Sequence, residues 1–158
     1  MNNKTETAAG TADREIIITR LLDAPRELVW QVWTSPEHVT QWWGPNGFTT
    51  TIHEMEVAPG GVWRFMMHGP DGVDYPNRIE FIEVTRPQRL VYQHGDDKGE
   101  IGFHVTVTFA EQAGKTLVTL RSLFPTAAAR DFVVSKHNAI EGGRQTLGRL
   151  DAYLANMR

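Results

Sequence analysis

One stretch of the sequence decides the fold: AAARDFVVSKHNAIEGGRQTLGRLDAYLANMR, residues 127–158. Apolar side chains recur along it at the spacing of one helix face, as the repeat of Val133, Ile140, Leu147 and Leu154 shows. The segment is therefore predicted to form one long C-terminal helix with an apolar stripe. Such a stripe must pack on a second apolar surface, and the strands predicted before it supply one.

The same helix carries three glycines, Gly142, Gly143 and Gly148. Each costs about 1 kcal/mol relative to alanine in a helix interior. Two interpretations follow. Either the sheet backbone approaches the helix closely at these positions, which is the commoner cause, or the helix leaves room there for a ligand.

The chain before this helix is predicted to be mostly strands. Glu15–Leu22 is rich in β-branched residues and forms the first strand, and Pro25 and the pair Ser35-Pro36 mark the starts of two short helices, the second running to about Trp42. Six further strands are predicted at residues 50–57, 61–68, 78–85, 89–94, 102–110 and 116–124. Short connections, among them residues 96–99, favour antiparallel pairing of consecutive strands.

The predicted fold class is therefore α+β. A seven-stranded, curved antiparallel sheet wraps around the long helix, and the two short helices close one end. Alternation along the first strand places Arg20 on the same face as Ile16, Ile18 and Leu22. A guanidinium on a covered face needs a carboxylate or several carbonyl partners.

Length and composition narrow the function classes. With 158 residues, the chain fits one domain, predicted at residues 13–158 after a disordered tail at residues 1–12. A net charge of -3 disfavours nucleic acid as a partner. No apolar run is long enough for a membrane span and the first residues lack the apolar core of a signal peptide, so we expect no membrane association and a cytoplasmic location.

Catalytic and metal-binding patterns find little support in the sequence. There is no cysteine, and the six histidines, at positions 38, 53, 68, 94, 104 and 137, show no metal-ligand spacing. Nucleophile elbows, phosphate loops and dinucleotide fingerprints are also missing. We therefore expect no catalytic residue, metal or cofactor.

Several motifs resemble a known family. The stretch RLLDAPRELVWQVWTSPEHVTQWWGP at residues 20–45, followed by APGGVWRF, RPQRLVYQ and VTVTF, resembles the proteins named after the activator of the ninety-kilodalton heat-shock protein ATPase. These belong to the START-like, or SRPBCC, superfamily, and the resemblance covers nearly the whole chain from residue 14. It implies the helix-grip fold, whose element order is the one predicted above. One departure stands out: relatives usually carry Glu-Gly-Trp in the last helix, where this chain has Glu141-Gly142-Gly143.

The helix-grip fold and the aromatic residues together predict an apolar pocket between the last helix and the sheet. For any single tryptophan, core packing is the commoner role, and the adjacent Trp42 and Trp43 cannot both point the same way. The combination of a large aromatic strand face with a glycine-bearing helix favours a ligand site. Its predicted lining is Trp42, Trp43, Phe48, Trp63, Phe65, Met67, Tyr92, Phe103, His137, Ile140, Gly143 and Leu147.

Three hypotheses follow for function. The first is non-catalytic binding of a small hydrophobic molecule in that pocket. The second is an enzyme of the cyclase or dehydratase kind, with His104, Tyr92 or His137 as acid or base. The third, implied by the family name, is a co-chaperone contact with a heat-shock protein, which would bring a role in the stress response; lipids are among the ligands that the superfamily implies.

Overall fold

The computed structural model describes residues 10–95 and 101–157. A 3₁₀ turn (Ala12–Arg14) leads into strand β1. The described elements then follow in the order β1 (Glu15–Leu22), α1 (Arg26–Thr34), α2 (Pro36–Val39), β2 (Thr49–Met55), β3 (Val62–His68), β4 (Asp74–Thr85), β5 (Arg89–Gly95), β6 (Ile101–Gln112), β7 (Lys115–Leu123), α3 (Ala127–His137) and α4 (Ala139–Asn156).

The strands form one seven-stranded sheet in the order β1-β7-β6-β5-β4-β3-β2. Every neighbouring pair is antiparallel, as the short connections predict. The α+β helix-grip architecture is confirmed. The connection predicted at residues 96–99 lies outside the described residues, as do positions 1–9 of the predicted tail.

The N-terminal boundary of the packed structure lies slightly earlier than predicted. Thr11 is buried, and its hydroxyl donates a hydrogen bond to the carboxylate of Glu15. The turn that carries this contact packs against α3. Thr11 and Ala12, assigned to the tail from the sequence, therefore belong to the described fold.

The prediction of one unbroken helix over residues 127–158 is wrong. Asn138 adopts a left-handed conformation, with φ of 52°, and separates α3 from α4. Asparagine adopts the left-handed conformation more readily than most residues, because its short polar side chain can hydrogen-bond to the nearby backbone. The break gives the two helices different roles, since no residue of α3 is buried whereas α4 buries Leu147, Leu150 and Leu154.

The start signal at Ser35 is weaker than expected. Pro36 is the first residue of α2, as predicted, but the Ser35 side chain makes no capping hydrogen bond and α2 ends at Val39 rather than near Trp42. The chain then turns so that both Trp42 and Trp43 are buried. The indole Nε1 of Trp42 donates to the carbonyl oxygen of Val32 at 3.1 Å, which fixes this ring against α1.

Arg20 has the carboxylate partner that its position requires. Its Nε and Nη2 donate to Oδ2 of Asp151 on α4, at 3.1 and 2.8 Å. Both side chains are partly exposed to solvent, so the pair contributes less than about 1 kcal/mol. Its main effect is to hold α4 in position across β1.

Candidate functional site

The concave face of the middle strands is incompletely covered. The strand register places Tyr92 opposite Val105 and His94 opposite Phe103, and these four side chains share that face. Val105 and Tyr92 are buried, whereas His94 and Phe103 are only half-buried although β5 and β6 lie in the middle of the sheet. Space is therefore left above this part of the sheet.

Helix α3 does not fill that space. Its main contacts are with the 3₁₀ turn, with β1 at the edge of the sheet and with α4. Val133 and Val134 of α3, and Ile140 at the start of α4, reach the core but are only partly buried. The candidate site is consequently the region between these helices and strands β3 to β7.

A hydrogen-bond relay fixes the state of His94. The amide Nδ2 of Asn77 donates to the carbonyl oxygen of Tyr75 at 2.9 Å, which orients Oδ1 of Asn77 toward Nε2 of His94, 2.8 Å away. Since that oxygen can only accept, Nε2 of His94 carries the proton. Burial also lowers the pKa of His94 to about 4, so the ring is neutral at pH 7 and Nδ1 holds a lone pair.

Aromatic rings surround this histidine. The ring centroid of His94 lies 4.8 Å from that of Phe103, 6.0 Å from Phe65 and 6.4 Å from Tyr92. Phe103 in turn stacks on Phe124 at 4.8 Å. Burial raises the pKa of the Tyr92 hydroxyl, so this group is a neutral phenol.

A hydrogen-bond donor without a partner in the described structure lies beside these rings, on Trp63. The residue is 1% exposed, and its Nε1 is buried without a hydrogen-bond partner among the described residues. Its ring stacks on Phe65 at 4.3 Å and meets the edge of Trp43 at 4.7 Å. A buried N–H that lacks a partner costs about 1–3 kcal/mol, so a water molecule or a ligand atom at this position would be favourable.

The structure brings together part of the predicted lining. Trp63, Phe65, Tyr92 and Phe103 form the aromatic wall, with Ile140 at its margin. Trp43 contacts the wall from the side of α2.

His94 was not predicted as a site residue, although its position two residues after Tyr92 on the same strand placed it on the same face. The sequence lacks the information that would have singled it out, because its partner Asn77 lies on another strand.

The other predicted lining residues lie elsewhere. Trp42 and Leu147 are fully buried core residues, and Phe48 packs beside Tyr75 with ring centroids 6.0 Å apart. The side chain of Met67, on β3, extends to the loop at Gly44, where its Cε would lie 3.0 Å from a Cβ atom on the glycine. His137 is exposed at the end of α3, where its ring contacts Phe132.

The expectation of empty space at Gly143 is wrong. A Cβ atom placed on Gly143 would overlap Cδ1 of Ile18 on β1. The side chain of Ile18 therefore occupies the space beside Gly143, and glycine permits this close approach of α4 to the sheet. The close approach at this position is made by a side chain of the sheet rather than by its backbone.

The acid and base proposed for a cyclase or dehydratase do not converge. His104 lies on the opposite face of β6 from Phe103 and Val105, while His137 is on α3 and only Tyr92 is in the wall. Burial, followed by the positive charges of Arg121 and Arg89, lowers the pKa of His104. No group of three acidic or histidine side chains suited to a metal ion occurs within residues 10–95 and 101–157.

A cleft of about 190 Å³ opens at the end of the sheet where β6 begins and β7 ends. Phe103 and Phe124 contribute to it from the aromatic wall, and His104 contributes from the opposite face. The cleft thus adjoins the candidate site at the strand ends. Its remaining lining residues are Arg14, Gln93, Gly102, Leu123 and Pro125.

Residues 23–155 match the family described as "Activator of Hsp90 ATPase homolog 1-like protein". The chain belongs to this family. Solved structures of similar fold include protein Ms6760 from Mycobacterium smegmatis, with 27% identity over 94% of this chain and 95% of that one, and a TM-score of 0.85. A protein from Arthrobacter aurescens has 26% identity over 92% of this chain and 88% of that one, with a TM-score of 0.82.

Membership of this family supports the fold and the broad class, and no more specific function. An AHSA1 protein from Silicibacter pomeroyi, 22% identical over 91% of this chain and 99% of that one, shares the fold with a TM-score of 0.74. A search of curated protein sequences gives no significant match. None of the described helices is long and apolar enough to cross a membrane.

Proposed function

We propose that the protein binds a small hydrophobic molecule, without chemical conversion, in the space between α3, the start of α4 and strands β3 to β7. The observation that carries this proposal is the partial exposure of His94 and Phe103, which face inward near the ends of two central strands. The other inward-facing side chains of these two strands, such as Tyr92 and Val105, are buried in the core. His94 and Phe103 instead belong to an aromatic wall that a ligand can cover.

The protonation states in the wall favour binding over catalysis. A general acid or base works best when its pKa is near the working pH. Burial holds the pKa of His94 at about 4, which makes it a weak base, and raises that of Tyr92, which makes it a weak acid. Neither group is poised to move a proton at neutral pH.

A neutral dye tests the binding proposal. Nile red fluorescence should rise and shift to shorter wavelength with the wild-type protein, and Phe103→Ala should weaken its affinity about tenfold, since a large apolar contact is lost. Phe132→Ala is the matched control, because Phe132 is 54% exposed on α3 and lies outside the wall. Equal affinity of the two variants would contradict the proposed location. Native mass spectrometry of the purified protein would identify any ligand that remains bound.

The family assignment supports a second candidate function, a co-chaperone contact with a heat-shock protein. The relevant test is the ATPase rate of purified Hsp90 with and without this protein. Stimulation that survives Phe103→Ala would assign the activity to a surface other than the aromatic wall. A cytoplasmic location is a proposal that fits either function.

A further inference from the structure

The relay behind His94 determines what a ligand must offer. The carbonyl oxygen of Tyr75 accepts a hydrogen bond from the Asn77 amide, and Oδ1 of Asn77 accepts one from the Nε2–H of His94. The second ring nitrogen, Nδ1, makes no hydrogen bond to any residue in the described part of the chain. A neutral imidazole whose donor is already engaged presents only an acceptor.

We propose that His94 is a specificity-determining residue, and that the site selects an uncharged ligand that donates a hydrogen bond to Nδ1 of His94. This inference rests on the proposed binding function and specifies the chemistry of the ligand. Asn77 acts as a positioning residue, since it holds the imidazole in the tautomer that accepts.

The surroundings of His94 argue against a charged ligand. Among the described residues, the rings near His94 are Phe65, Tyr92 and Phe103 and the partner of its Nε2 is Asn77; each of these side chains is uncharged at pH 7. An anion that bound beside the His94 ring would lose its hydration without gaining a cationic partner among these four side chains. A cation would likewise find no carboxylate among these neighbours.

Two half-buried arginines already have carbonyl partners. Arg14 lines the cleft with Phe103, and its Nη1 donates to the carbonyl oxygen of Phe124 at 2.9 Å. Arg149 on α4 donates from Nη1 to the carbonyl oxygens of Gly44 and Pro45, at 2.9 and 3.0 Å. A longer contact, at 3.4 Å, reaches the carbonyl oxygen of Trp43. The guanidinium is therefore committed to the loop after α2 rather than to the aromatic wall.

Trp63 does not take part in this selection. The strand register aligns Trp63 with Ile79, and Ile79 with His94, so the indole and the imidazole are two strands apart. The Nε1 of Trp63 is buried and the residue is 1% exposed, so this donor is covered by the rings around it.

Three aromatic compounds of similar shape test the selectivity at pH 7: naphthalene, β-naphthol and β-naphthoate. β-Naphthol should bind about tenfold more tightly than naphthalene, because it gains one hydrogen bond in a buried site. β-Naphthoate should bind more weakly than naphthalene because its carboxylate is ionised. Fluorescence titration gives all three dissociation constants.

Two substitutions then locate the acceptor. His94→Phe keeps a flat ring against Phe65 and Phe103 but removes the acceptor, so the ratio of the β-naphthol affinity to the naphthalene affinity should fall to about one. Tyr92→Phe should keep most of the advantage of β-naphthol. If His94→Phe fails to fold, His94→Leu replaces it, since leucine is apolar and carries no hydrogen-bond acceptor.

The outcomes separate this inference from the binding proposal. Binding of naphthalene without any preference for β-naphthol would preserve the proposed function and overturn the selectivity. A preference that survives in the His94 variant and is lost in Tyr92→Phe would assign the acceptor to Tyr92 and overturn the role of His94. Tightest binding by β-naphthoate would overturn the exclusion of anions. Failure of all three compounds to bind would overturn the proposed function itself, and the selectivity with it.

Discussion

The two ends of the concave face differ in how they are filled. At the end beneath α1 and α2, Trp33 meets Trp42 at 4.9 Å and Phe109 at 5.4 Å, and all three rings are buried. At the other end, His94 and Phe103 face inward but remain half-exposed. The comparison teaches that aromatic content alone does not mark a ligand site, because the end with more indole rings is packed core. What distinguishes the other end is incomplete cover combined with unused hydrogen-bonding groups.

The largest expected effect is at the packed end. Trp42→Ala should lower the free energy of unfolding by about 3–5 kcal/mol, because it removes a fully buried ring and its bond to Val32. Phe103→Ala, at the open end, should cost less than half as much. Urea denaturation of both variants measures the difference, and equal losses would show that the two ends are packed alike.

The pH dependence of the free energy of unfolding tests the environment of His94 at the open end. The folded state lowers the pKa of His94 from 6.5 to about 4, so the folded protein binds fewer protons than the unfolded chain between those values. Above pH 6.5 His94 is neutral in both the folded and the unfolded state and does not lower the free energy of unfolding. As the pH falls from 6.5 toward 4, the unfolded chain takes up a proton at this residue and the free energy of unfolding decreases. The loss amounts to about 2–3 kcal/mol, allowing for partial exposure of the ring.

The control for this measurement is His94→Phe, which cannot titrate. Glu15, whose pKa the fold lowers, also loses its contribution in acid, so the test uses the difference between wild type and variant. That difference should grow in favour of the variant from pH 6.5 to pH 4. Parallel stability curves would show that His94 is freely solvated.

The glycines of α4 mark where the open region stops. Gly143→Trp should destabilise the fold by about 1–3 kcal/mol or more, because Ile18 already occupies the space that a side chain would need. Gly148→Ala is the matched control: its Cβ would meet only Nη1 of Arg20, at the ordinary distance of 3.8 Å. This control should stabilise α4 by up to about 1 kcal/mol. A stable Gly143→Trp protein that no longer binds Nile red would instead place the ligand space at Gly143.

The sheet could be predicted in detail, because β-branched runs and short polar turns are local signals. Glu15–Leu22 was predicted with its observed bounds, and the other strands differ by a few residues at their ends. The break at Asn138 was missed because the apolar stripe continues in phase across it. In that case one left-handed residue overrides a periodic pattern that extends over many turns.

The candidate site was only partly predictable. Alternation placed Trp63, Phe65, Tyr92 and Phe103 on suitable faces, but it could not tell which parts of the concave face the helices cover. That depends on where α3 and α4 lie, and so on the contact between Gly143 and Ile18. The role of His94 depends on its cross-strand bond to Asn77, which no local pattern reveals.

The position of β1 beside β7 has a consequence for the order of folding. Ile16 and Ser122 face each other in the register although more than a hundred residues separate them along the chain. This edge of the sheet can form only after nearly the whole sequence has been synthesised, and such long-range pairing slows folding. Since α4 packs on β1 beside Ile18, this helix also reaches its final position only after that edge has formed.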